Sequence, residues 1–373
     1  MDTFSLLHKL VNIPSAFPNE KTLGDYLLHE LTKRHFEVKS QQVARGRSNI
    51  LAQKGSGPSL LLFGHLDTVP LTAGWKTDPF RITKEGDRLY ALGAWDMKGG
   101  IASILSAVRD FEPNRFTLKL AFVVDEENIS LGMHTLIRSG WLSDVVAAVA
   151  PEPGFVHGHN GITIGRTGRS LYRVVLKTKG GHVYLSRKRH NAIDQAYLFL
   201  EAVKRLKKIR HNYLGEFVVF PRYIHGGANA MSVPDEVEIE LETQLVPPQT
   251  TESVLSLLQS VASKEKFGAV ITIEPVKRPT PFCQPFIISK HSPFVRRIRK
   301  ILGEVIKEKP VMYYRRSVAD ENRIASLGIP VVTIGPSGGN AHEPNEWVSE
   351  KSLSVIEQLL RQLLLSYNES GVQ

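Results

Sequence analysis

Two histidines and several carboxylates stand at or just after the ends of short apolar runs. They are His65, Asp67, Asp96, Glu126, Glu127, Glu152 and His342. In open α/β sheets the carboxyl ends of the strands form one edge, where ligands bind, so we expect most of these side chains to converge. Imidazole and carboxylate without thiolate suit divalent ions such as zinc, cobalt or manganese. The set is larger than one ion needs, and a shared carboxylate, for which Asp96 is the best candidate, predicts two bridged ions.

The spacing within this set assigns further roles. In His65-Leu66-Asp67 the period of two directs both polar side chains to one side, so we predict that Asp67 accepts the other ring N–H of His65. The adjacent Glu126 and Glu127 must point in different directions, so one can bind metal while the other acts as general base. The chemistry expected of such a pair is metal-assisted hydrolysis.

Each of these signals alone has a structural explanation. A His-x-Asp pair is commonly a hydrogen-bonded structural pair, and two adjacent glutamates are commonly an exposed edge. Glu152 lies between two prolines and fits an ordinary turn, and His342 near two glycines fits a surface loop. Their joint occurrence favours a functional site.

Three other features favour structural roles. The histidines of His157-Gly158-His159 have metal-like spacing but no adjacent carboxylate. The glycines of 335–339 precede no Lys-Ser/Thr pair, so they indicate a loop that carries His342 and not a phosphate loop. Cys283 lies beside Phe282 and is expected to be a packed residue.

The composition bounds the class of protein. With 373 residues, 42% hydrophobic and 23% charged, the chain is long enough for two domains. A single cysteine excludes an internal disulfide and fits a reducing compartment. The amphipathic N-terminus lacks the features of a signal peptide, and no apolar run reaches about 18 residues. We therefore predict a soluble, cytoplasmic protein without membrane association.

The net charge of +10 raises the question of nucleic acid binding. The basic residues concentrate in 187–190, 204–211 and 295–300, and the last two stretches are typical of solvated helix faces without interleaved aromatic residues. Nucleic acid is therefore disfavoured. An acidic substrate or an acidic protein partner explains the charge equally well.

Hydrophobic periodicity predicts an α/β fold with an inserted second domain. Between 59 and 164, apolar runs alternate with amphipathic segments, as in an α/β layer. After Gly165 the pattern changes to period-two alternation around one helical stretch, which predicts an α+β insertion. The expected strands are 59–64, 119–124, 145–150, 170–177, 236–244 and 331–334, and the expected helices are 1–15, 100–111, 192–208 and 293–306. We place the discontinuous first domain at 1–165 and 277–373, the insertion at 166–276, and a proline-rich return linker at 277–285.

Four motifs closely resemble the dinuclear zinc aminoacylase/carboxypeptidase family, which includes acetylornithine deacetylase, succinyl-diaminopimelate desuccinylase and glutamate carboxypeptidase. The motifs are Gly64-His65-Leu66-Asp67-Thr68-Val69-Pro70, Gly93-Ala94-Trp95-Asp96-Met97-Lys98-Gly99-Gly100, Asp125-Glu126-Glu127 and Ala341-His342-Glu343-Pro344-Asn345-Glu346. The resemblance covers essentially the whole chain in order and spacing. It implies a zinc-peptidase-like catalytic domain, with a mixed sheet flanked by helices, and a lid domain that dimerises.

The resemblance also implies residue roles. One zinc would be held by His65, Asp96 and Glu152, and the other by Asp96, Glu127 and His342. Glu126 would be the general acid/base, and Asp67, as the partner of His65, is counted with the catalytic residues. His182 of the lid would reach a neighbouring active site and stabilise the oxyanion, although a plain surface histidine is the alternative.

Positions tied to substrate recognition depart from the family pattern. Met231 replaces an Asn, Gln244 replaces an Arg that closes the next strand, and Ser317 replaces a Gly. Arginines that could supply the missing carboxylate-binding cation are Arg315, Arg316 and Arg323.

The leading functional prediction is hydrolysis of the amide bond of an N-acyl amino acid, in a deacylase or desuccinylase reaction. A carboxypeptidase or dipeptidase would share every catalytic residue. A third alternative is a binding protein that holds an acidic carrier, but the chain has lost neither Glu126 nor any expected ligand. The complete set favours an enzyme, and an acidic carrier as the acyl group would suit the charge.

Overall fold

The computed structural model describes residues 2–188, 190–207 and 209–371, without the side chains of 187 and 188. The chain divides into two compact units. The first comprises Met1–Gly165, Ile287–Tyr314 and Ala319–Gln373, and the second comprises Arg166–Phe286 and Arg315–Val318.

The return segment belongs to the second unit up to Phe286, whereas the sequence pattern predicts that the first domain resumes at residue 277. Hydrogen bonds to one strand explain the difference. The N–H of Arg169 donates to the carbonyl of Cys283 (2.8 Å), and the N–H of Val276 donates to the carbonyl of Leu171 (2.9 Å). The proline-rich stretch therefore continues along the inserted domain before the chain leaves it.

The described residues form helices, strands and a few short turns. The helices are α1 (Thr3–Val11), α2 (Lys21–Thr32), α3 (Gly99–Ala107), α4 (Leu131–Arg138), α5 (Ala192–Lys204), α6 (Thr251–Lys264), α7 (Pro293–Ile306), α8 (Asp320–Ala325) and α9 (Glu350–Ser370). The strands are β1 (Glu37–Ala44), β2 (Arg47–Gly55), β3 (Ser59–His65), β4 (Thr83–Glu85), β5 (Arg88–Tyr90), β6 (Thr117–Val123), β7 (Val145–Ala150), β8 (Gly161–Arg166), β9 (Gly168–Lys177), β10 (Gly181–His182), β11 (Arg210–His211), β12 (Gly215–Glu216), β13 (Val218–Gly226), β14 (Ser232–Val233), β15 (Glu236–Leu245), β16 (Val270–Pro275), β17 (Phe286–Ile287), β18 (Val311–Arg315), β19 (Val331–Thr333), β20 (Gly338–Gly339) and β21 (Trp347–Ser349). Tighter turns cover Gly158–Asn160 and Val183–Lys188, and an irregular turn covers Ala94–Lys98.

The main sheet of the first unit is mixed, with strand order β1-β2-β6-β3-β7-β19-β8-β17 and β18 paired to β8. Its centre is parallel, because β3 pairs in parallel with β6 and β7, and β7 pairs in parallel with β19. The carboxyl ends of these four strands therefore lie at one edge. Strands β3 and β6 are buried at every position, which explains why they read as continuous apolar runs.

Helices cover this sheet with their apolar residues. Helix α3 packs against α1 and α9 and is buried at all nine positions, so it carries no polar face. Helix α7 is amphipathic: Ser292 caps it by accepting the N–H of Val295 (3.2 Å), and Phe294, Ile298 and Leu302 bury one stripe. This i, i+4, i+8 spacing is the pattern that predicted the helix.

The second unit is built on an antiparallel sheet with strand order β13-β15-β9-β16. Strand β15 alternates between buried and less buried residues along its length, and helices α5 and α6 pack against the sheet and each other. This is the α+β arrangement expected from the period-two pattern.

The expected elements occur with shifted ends. The predicted strand 145–150 and helix 293–306 match β7 and α7, whereas the N-terminal helix is shorter, at Thr3–Val11. The predicted helix 192–208 ends at Lys204, and residue 208 lies outside the described residues, as does residue 189 of the basic stretch 187–190. Within the described ranges, none of the helices combines the length and the apolar character that a membrane span requires.

Candidate metal centre

Four parallel strands deliver most of the candidate ligands to one edge of the main sheet. Strand β3 ends at His65, β6 is followed by Glu126 and Glu127, and β7 is followed by Glu152. His342 lies further along the chain from β19, in the loop between the short strands β20 and β21. Asp96 arrives separately, from the irregular turn before α3.

Asp96 lies between the two histidines. Its Oδ1 is 3.2 Å from Nε2 of His65, and its Oδ2 is 3.5 Å from Nε2 of His342. Nε2 of His342 is also 3.1 Å from Oε1 of Glu127. One ligand atom each from His65, Asp96 and Glu127 fits within a span of 4.8 Å. The two oxygens of one carboxylate therefore face two different imidazoles.

Asp67 uses its carboxylate differently from our expectation. Oδ1 accepts the N–H of Glu126 at 3.2 Å, and Oδ2 accepts the N–H of Glu127 at 2.9 Å. Nδ1 of His65 is 3.8 Å from Oδ1 of Asp67 but only 2.9 Å from its backbone carbonyl. The backbone carbonyl of Asp67 is therefore the group that orients the His65 ring. The Asp67 side chain instead holds the backbone of Glu126 and Glu127.

The electrostatics of the cluster favour positive charge at its centre. The carboxylates of Asp96 and Glu127, which accept hydrogen bonds from the imidazole, raise the pKa of His342 to about 10. Burial lowers the pKa of His65, but the Asp96 hydrogen bond and the charge of Asp67 outweigh it and raise that pKa well above the usual range. Burial would raise the pKa of Asp96, yet its bonds to both histidines bring it well below the usual range. Burial raises the pKa of Asp67 to about 6.

Glu126 stands next to this cluster. Burial, together with the charges of Glu152, Glu127 and Asp320, raises its pKa well above the usual range, against the opposing charge of His65. A carboxyl group in such surroundings can take up and return a proton near neutral pH once neighbouring positive charge offsets part of this shift.

The turn that carries Glu126 and Glu127 is held by a buried ion-pair network. Asp125, with φ of 75°, accepts Nη1 of Arg47 (3.0 Å) and the N–H of Leu131 (3.0 Å). Arg47 also pairs with both oxygens of Glu20. The short sequence motif gave no sign of Arg47 or Glu20, because they lie about 80 to 100 residues before it.

The turn that carries Asp96 is held by Glu346, a third residue to which the sequence pattern assigned no role. Its carboxylate accepts the backbone N–H groups of Gly93, Trp95 and Asp96. Gly93 is required here for two reasons: its φ is +72°, and a Cβ would lie 2.5 Å from Cγ2 of Thr68.

Asp320 is a fourth residue that the sequence pattern did not single out. It is buried at the start of α8, and burial raises its pKa to about 7, partly offset by Arg323. In the sequence comparison with the family, the notable position was Ser317, which replaces a glycine three residues before Asp320. The aspartate itself was not singled out.

Two further candidates, Glu152 and Arg323, are buried in the first unit. Glu152 is buried and its carbonyl packs closely on Gly335, where a Cβ would approach within 1.8 Å. Arg323 is also buried, and its Nη2 donates to the carbonyl of Ile129 (3.2 Å). That engagement in the interior of the first unit does not favour Arg323 as a substrate contact.

The other candidates belong to the second unit. His182 is exposed on β10, and its Nδ1 accepts the N–H of Tyr184 (3.2 Å). Arg316 is exposed, and its Nη2 lies 3.4 Å from Oε1 of Gln244, whose Nε2 donates to the Arg316 carbonyl (2.7 Å). Arg315 is half-buried, and Met231 is exposed.

The disfavoured motifs occupy structural positions. Nδ1 of His159 is 2.8 Å from Oγ of Ser337, and His157 packs edge-on against Tyr313. Cys283 is buried.

The donor set fits divalent metal ions. Two imidazoles and three carboxylates without a thiolate are the ligands of borderline ions, and ligand atoms of His65, Asp96 and Glu127 are already gathered within 4.8 Å. Asp67, Glu346 and Asp125 support the ligands through backbone and side-chain hydrogen bonds, as is usual around metal sites.

Comparisons with known proteins agree with this geometry. The model of peptidase family M20/M25/M40 matches residues 61–366. The chain is 28% identical to an acetylornithine deacetylase of Photorhabdus laumondii, over 96% of this chain and 95% of that protein. It is 26% identical to a succinyl-diaminopimelate desuccinylase of Wolinella succinogenes, over 96% of this chain and 98% of that one. The YXEP protein of Bacillus subtilis, described as a dinuclear metal-binding peptidase of the M20 family, shares the fold, with a TM-score of 0.75, 17% identity and coverage of 99% and 98%. The chain therefore belongs to the M20/M25/M40 family of metallopeptidases.

Proposed function

We propose that this protein hydrolyses the amide bond of an N-acyl amino acid and binds two divalent ions, most suitably zinc, with cobalt and manganese as alternatives. One observation carries the proposal: the two carboxylate oxygens of Asp96 face Nε2 of His65 (3.2 Å) and Nε2 of His342 (3.5 Å). This is the arrangement that a bridging carboxylate needs.

The proposed ligand sets are those that the family resemblance implies. His65, Asp96 and Glu152 would hold one ion, and Asp96, Glu127 and His342 the other. When bound, such ions polarise a carbonyl and lower the pKa of water. Glu126 then takes the proton of the attacking water and returns a proton to the leaving amine, so that an acid and a free amino acid are formed. Asp67 orients Glu126 through the backbone N–H that it accepts (3.2 Å).

The nature of the substrate rests on the relatives. Two of them are named for small N-acyl amino acids, whereas the structural neighbour from Bacillus subtilis is named a peptidase. Cleavage of a C-terminal or dipeptide bond is therefore the second candidate. The acidic carrier protein has no support from these relatives. A cytoplasmic location stays a prediction, based on the single cysteine Cys283.

Metal content by elemental analysis, combined with hydrolysis of N-acetyl, N-succinyl and dipeptide substrates, tests the proposal. We expect about two ions per chain, turnover of one substrate class, and loss of turnover in Glu126→Gln with the ions retained. A protein that binds ions but cleaves none of the three classes would contradict the substrate proposal. A chain that binds no divalent ion would contradict the mechanism.

We also propose that the second unit forms a homodimer through β13 and α5. Strand β13 is at the edge of its sheet and exposes Tyr223 and Ile224 at 51% and 56%. Helix α5 exposes Tyr197 and Leu198 at 64% and 46%. An exposed apolar edge strand favours pairing with another chain. Ile224→Glu should therefore convert dimer to monomer in light scattering, whereas Val270→Glu, on the opposite edge strand β16, should not.

His182 is proposed to act in the partner's active site. Its Nδ1 accepts a hydrogen bond from Tyr184 (3.2 Å), so the neutral ring carries its proton on Nε2 and can donate to an oxyanion. Mixing inactive His182→Ala with inactive Glu126→Gln separates the alternatives. Action across the dimer should restore roughly a quarter of wild-type activity per chain, because half the dimers are mixed and each holds one intact site. Action within one chain would restore none.

A further inference from the structure

The carboxylate of Glu346 gathers three backbone donors from the turn that carries Asp96. Oε1 accepts the N–H groups of Trp95 and Asp96, both at 2.8 Å, and Oε2 accepts the N–H of Gly93 at 2.7 Å. The Glu346 residue is only 2% exposed. The turn itself is irregular, with non-helical backbone angles at Asp96 and Met97. Its conformation therefore depends on an acceptor that lies 250 residues further along the chain.

Glu346 also belongs to the loop that carries His342. The two residues are four positions apart, and the backbone of His342 is left-handed, with φ of 64°. Beyond the loop, the carbonyl of Glu346 accepts the N–H of Ala91 (3.2 Å), and Trp347 pairs with Tyr90 in the small sheet. Glu346 thus joins the Asp96 turn to the His342 loop by both its side chain and its backbone.

We propose that Glu346 is a positioning residue for the metal centre, which sets the direction of the Asp96 carboxylate toward both histidines. This inference rests on the proposed two-ion function. Because Asp96 uses one oxygen toward each histidine, a small rotation of residues 93–96 would move both oxygens away from their partners. A single change at Glu346 should then weaken the binding of both ions.

The chemistry requires a carboxylate at this position. A glutamine has nearly the same shape, but its amide group offers one oxygen to three N–H donors. Its NH₂ group would face at least one backbone N–H, so an attractive contact becomes a repulsion between donors. Burial and the charge of Asp96 raise the pKa of Glu346 to about 8, against the three backbone hydrogen bonds that lower it. Cations at the neighbouring site favour the ionised carboxylate, since charges interact strongly where water is excluded.

The test compares Glu346→Gln with Glu343→Gln. Glu343 lies in the same loop but is exposed, so its variant makes the same chemical change away from the turn. Metal-free wild type and variants are titrated with Zn²⁺ by calorimetry, and the visible absorption of the Co²⁺-saturated proteins is recorded. Circular dichroism checks that each variant is folded.

We expect Glu346→Gln to bind Zn²⁺ on the order of 10- to 100-fold more weakly, as found for outer partners of metal ligands, while Glu343→Gln binds like wild type. At saturating Co²⁺ the absorption of Glu346→Gln should differ from wild type, because the ligand geometry has changed. A purely structural role would lower the melting temperature and leave the saturated spectrum unchanged.

Glu346→Asp provides a second variant, which keeps the charge but withdraws the carboxylate by one methylene group. It carries the test if the glutamine variant does not fold, and the same weakening is expected. Wild-type Zn²⁺ affinity and an unchanged Co²⁺ spectrum in a folded variant would overturn the proposal for Glu346 alone. A wild type that binds no ion would instead overturn the proposed function.

Discussion

Replacing Arg47 by methionine should destabilise the first unit, because two buried carboxylates would lose the cation that pairs them. Nε of Arg47 lies 2.8 Å from Glu20, and Nη1 lies 3.0 Å from Asp125. Both carboxylate residues are 1% exposed. Removing one partner of a buried ion pair costs about 3–5 kcal/mol, since the remaining charge is left without compensation. Methionine fills much of the same volume, so the effect reports mainly on charge.

This cost converts into a measurable change in melting temperature. Domains of roughly 150–250 residues lose about 2–4 °C per kcal/mol, so the expected decrease is on the order of 6–20 °C. The assay is thermal unfolding followed by circular dichroism at one fixed Zn²⁺ concentration, because bound ions shift the melting temperature. Arg45→Met is the matched control: Arg45 is exposed two residues earlier, and we expect its variant to stay within about 0.5 kcal/mol of wild type.

The same change should also lower activity at temperatures where the variant is folded. Asp125 begins the turn of Glu126 and Glu127, and Arg47 holds one of its oxygens. If Arg47→Met melts and hydrolyses substrate like Arg45→Met, the network does not support the turn and our reasoning is refuted.

Three further predictions concern the ions, a glycine and an ion pair of the second unit. Chelation should lower the melting temperature, and an ion at 100 times its dissociation constant should restore about 2.7 kcal/mol; equal melting curves with and without chelator would contradict ion binding. Gly93→Ala should lower the melting temperature more than Gly86→Ala, because both glycines have positive φ but only Gly93 would place a Cβ against Thr68; equal decreases would show that this contact relaxes freely. The hydrogen bond of Arg169 lowers the pKa of Glu242, so this pair stabilises the fold above the unfolded-state pKa of about 4.3 and loses its effect as the pH falls through the lower, folded-state pKa. In urea unfolding, the stability difference between wild type and Glu242→Gln should therefore be larger at neutral pH than at strongly acidic pH, and a difference independent of pH would contradict the assignment.

The parallel strands could be predicted because burial on both faces leaves a strong sequence signal. Strand β7 and helix α7 match the expected ranges, since one is a continuous apolar run and the other a regular apolar stripe. The end of the inserted domain was less predictable. Prolines in 277–285 suggested a linker, but hydrogen bonds to Arg169 and Leu171 keep this segment with the second unit. Such long-range backbone pairing has no local sequence signature.

The site also contains residues with a local sequence signal and residues whose role depends on long-range contacts. His65, Glu126 and Glu152 could be proposed from the sequence because each lies at or after the end of an apolar run and has a side chain that can do chemistry. Glu20 and Arg47 were missed because their role depends on a contact with Asp125, which is distant in sequence. Asp67 was found but given the wrong hydrogen-bond partner, since alternation along a strand predicts the side of the sheet and not the atom that a side chain contacts.

Residue type alone does not separate the carboxylates that bind metal from those that support the site, whereas the use of their oxygens does. Both oxygens of Asp67 accept backbone N–H groups, and those of Glu346 accept three. In Asp96, by contrast, the two oxygens face imidazole nitrogens that are themselves candidate ligands. A carboxylate whose oxygens accept backbone N–H groups has fewer lone pairs left for an ion, and turning it toward an ion would leave those N–H groups unsatisfied. The hydrogen bonds of Asp67 and Glu346 therefore favour supporting roles, and the placement of the Asp96 oxygens supports the proposal that Asp96 bridges the two ions.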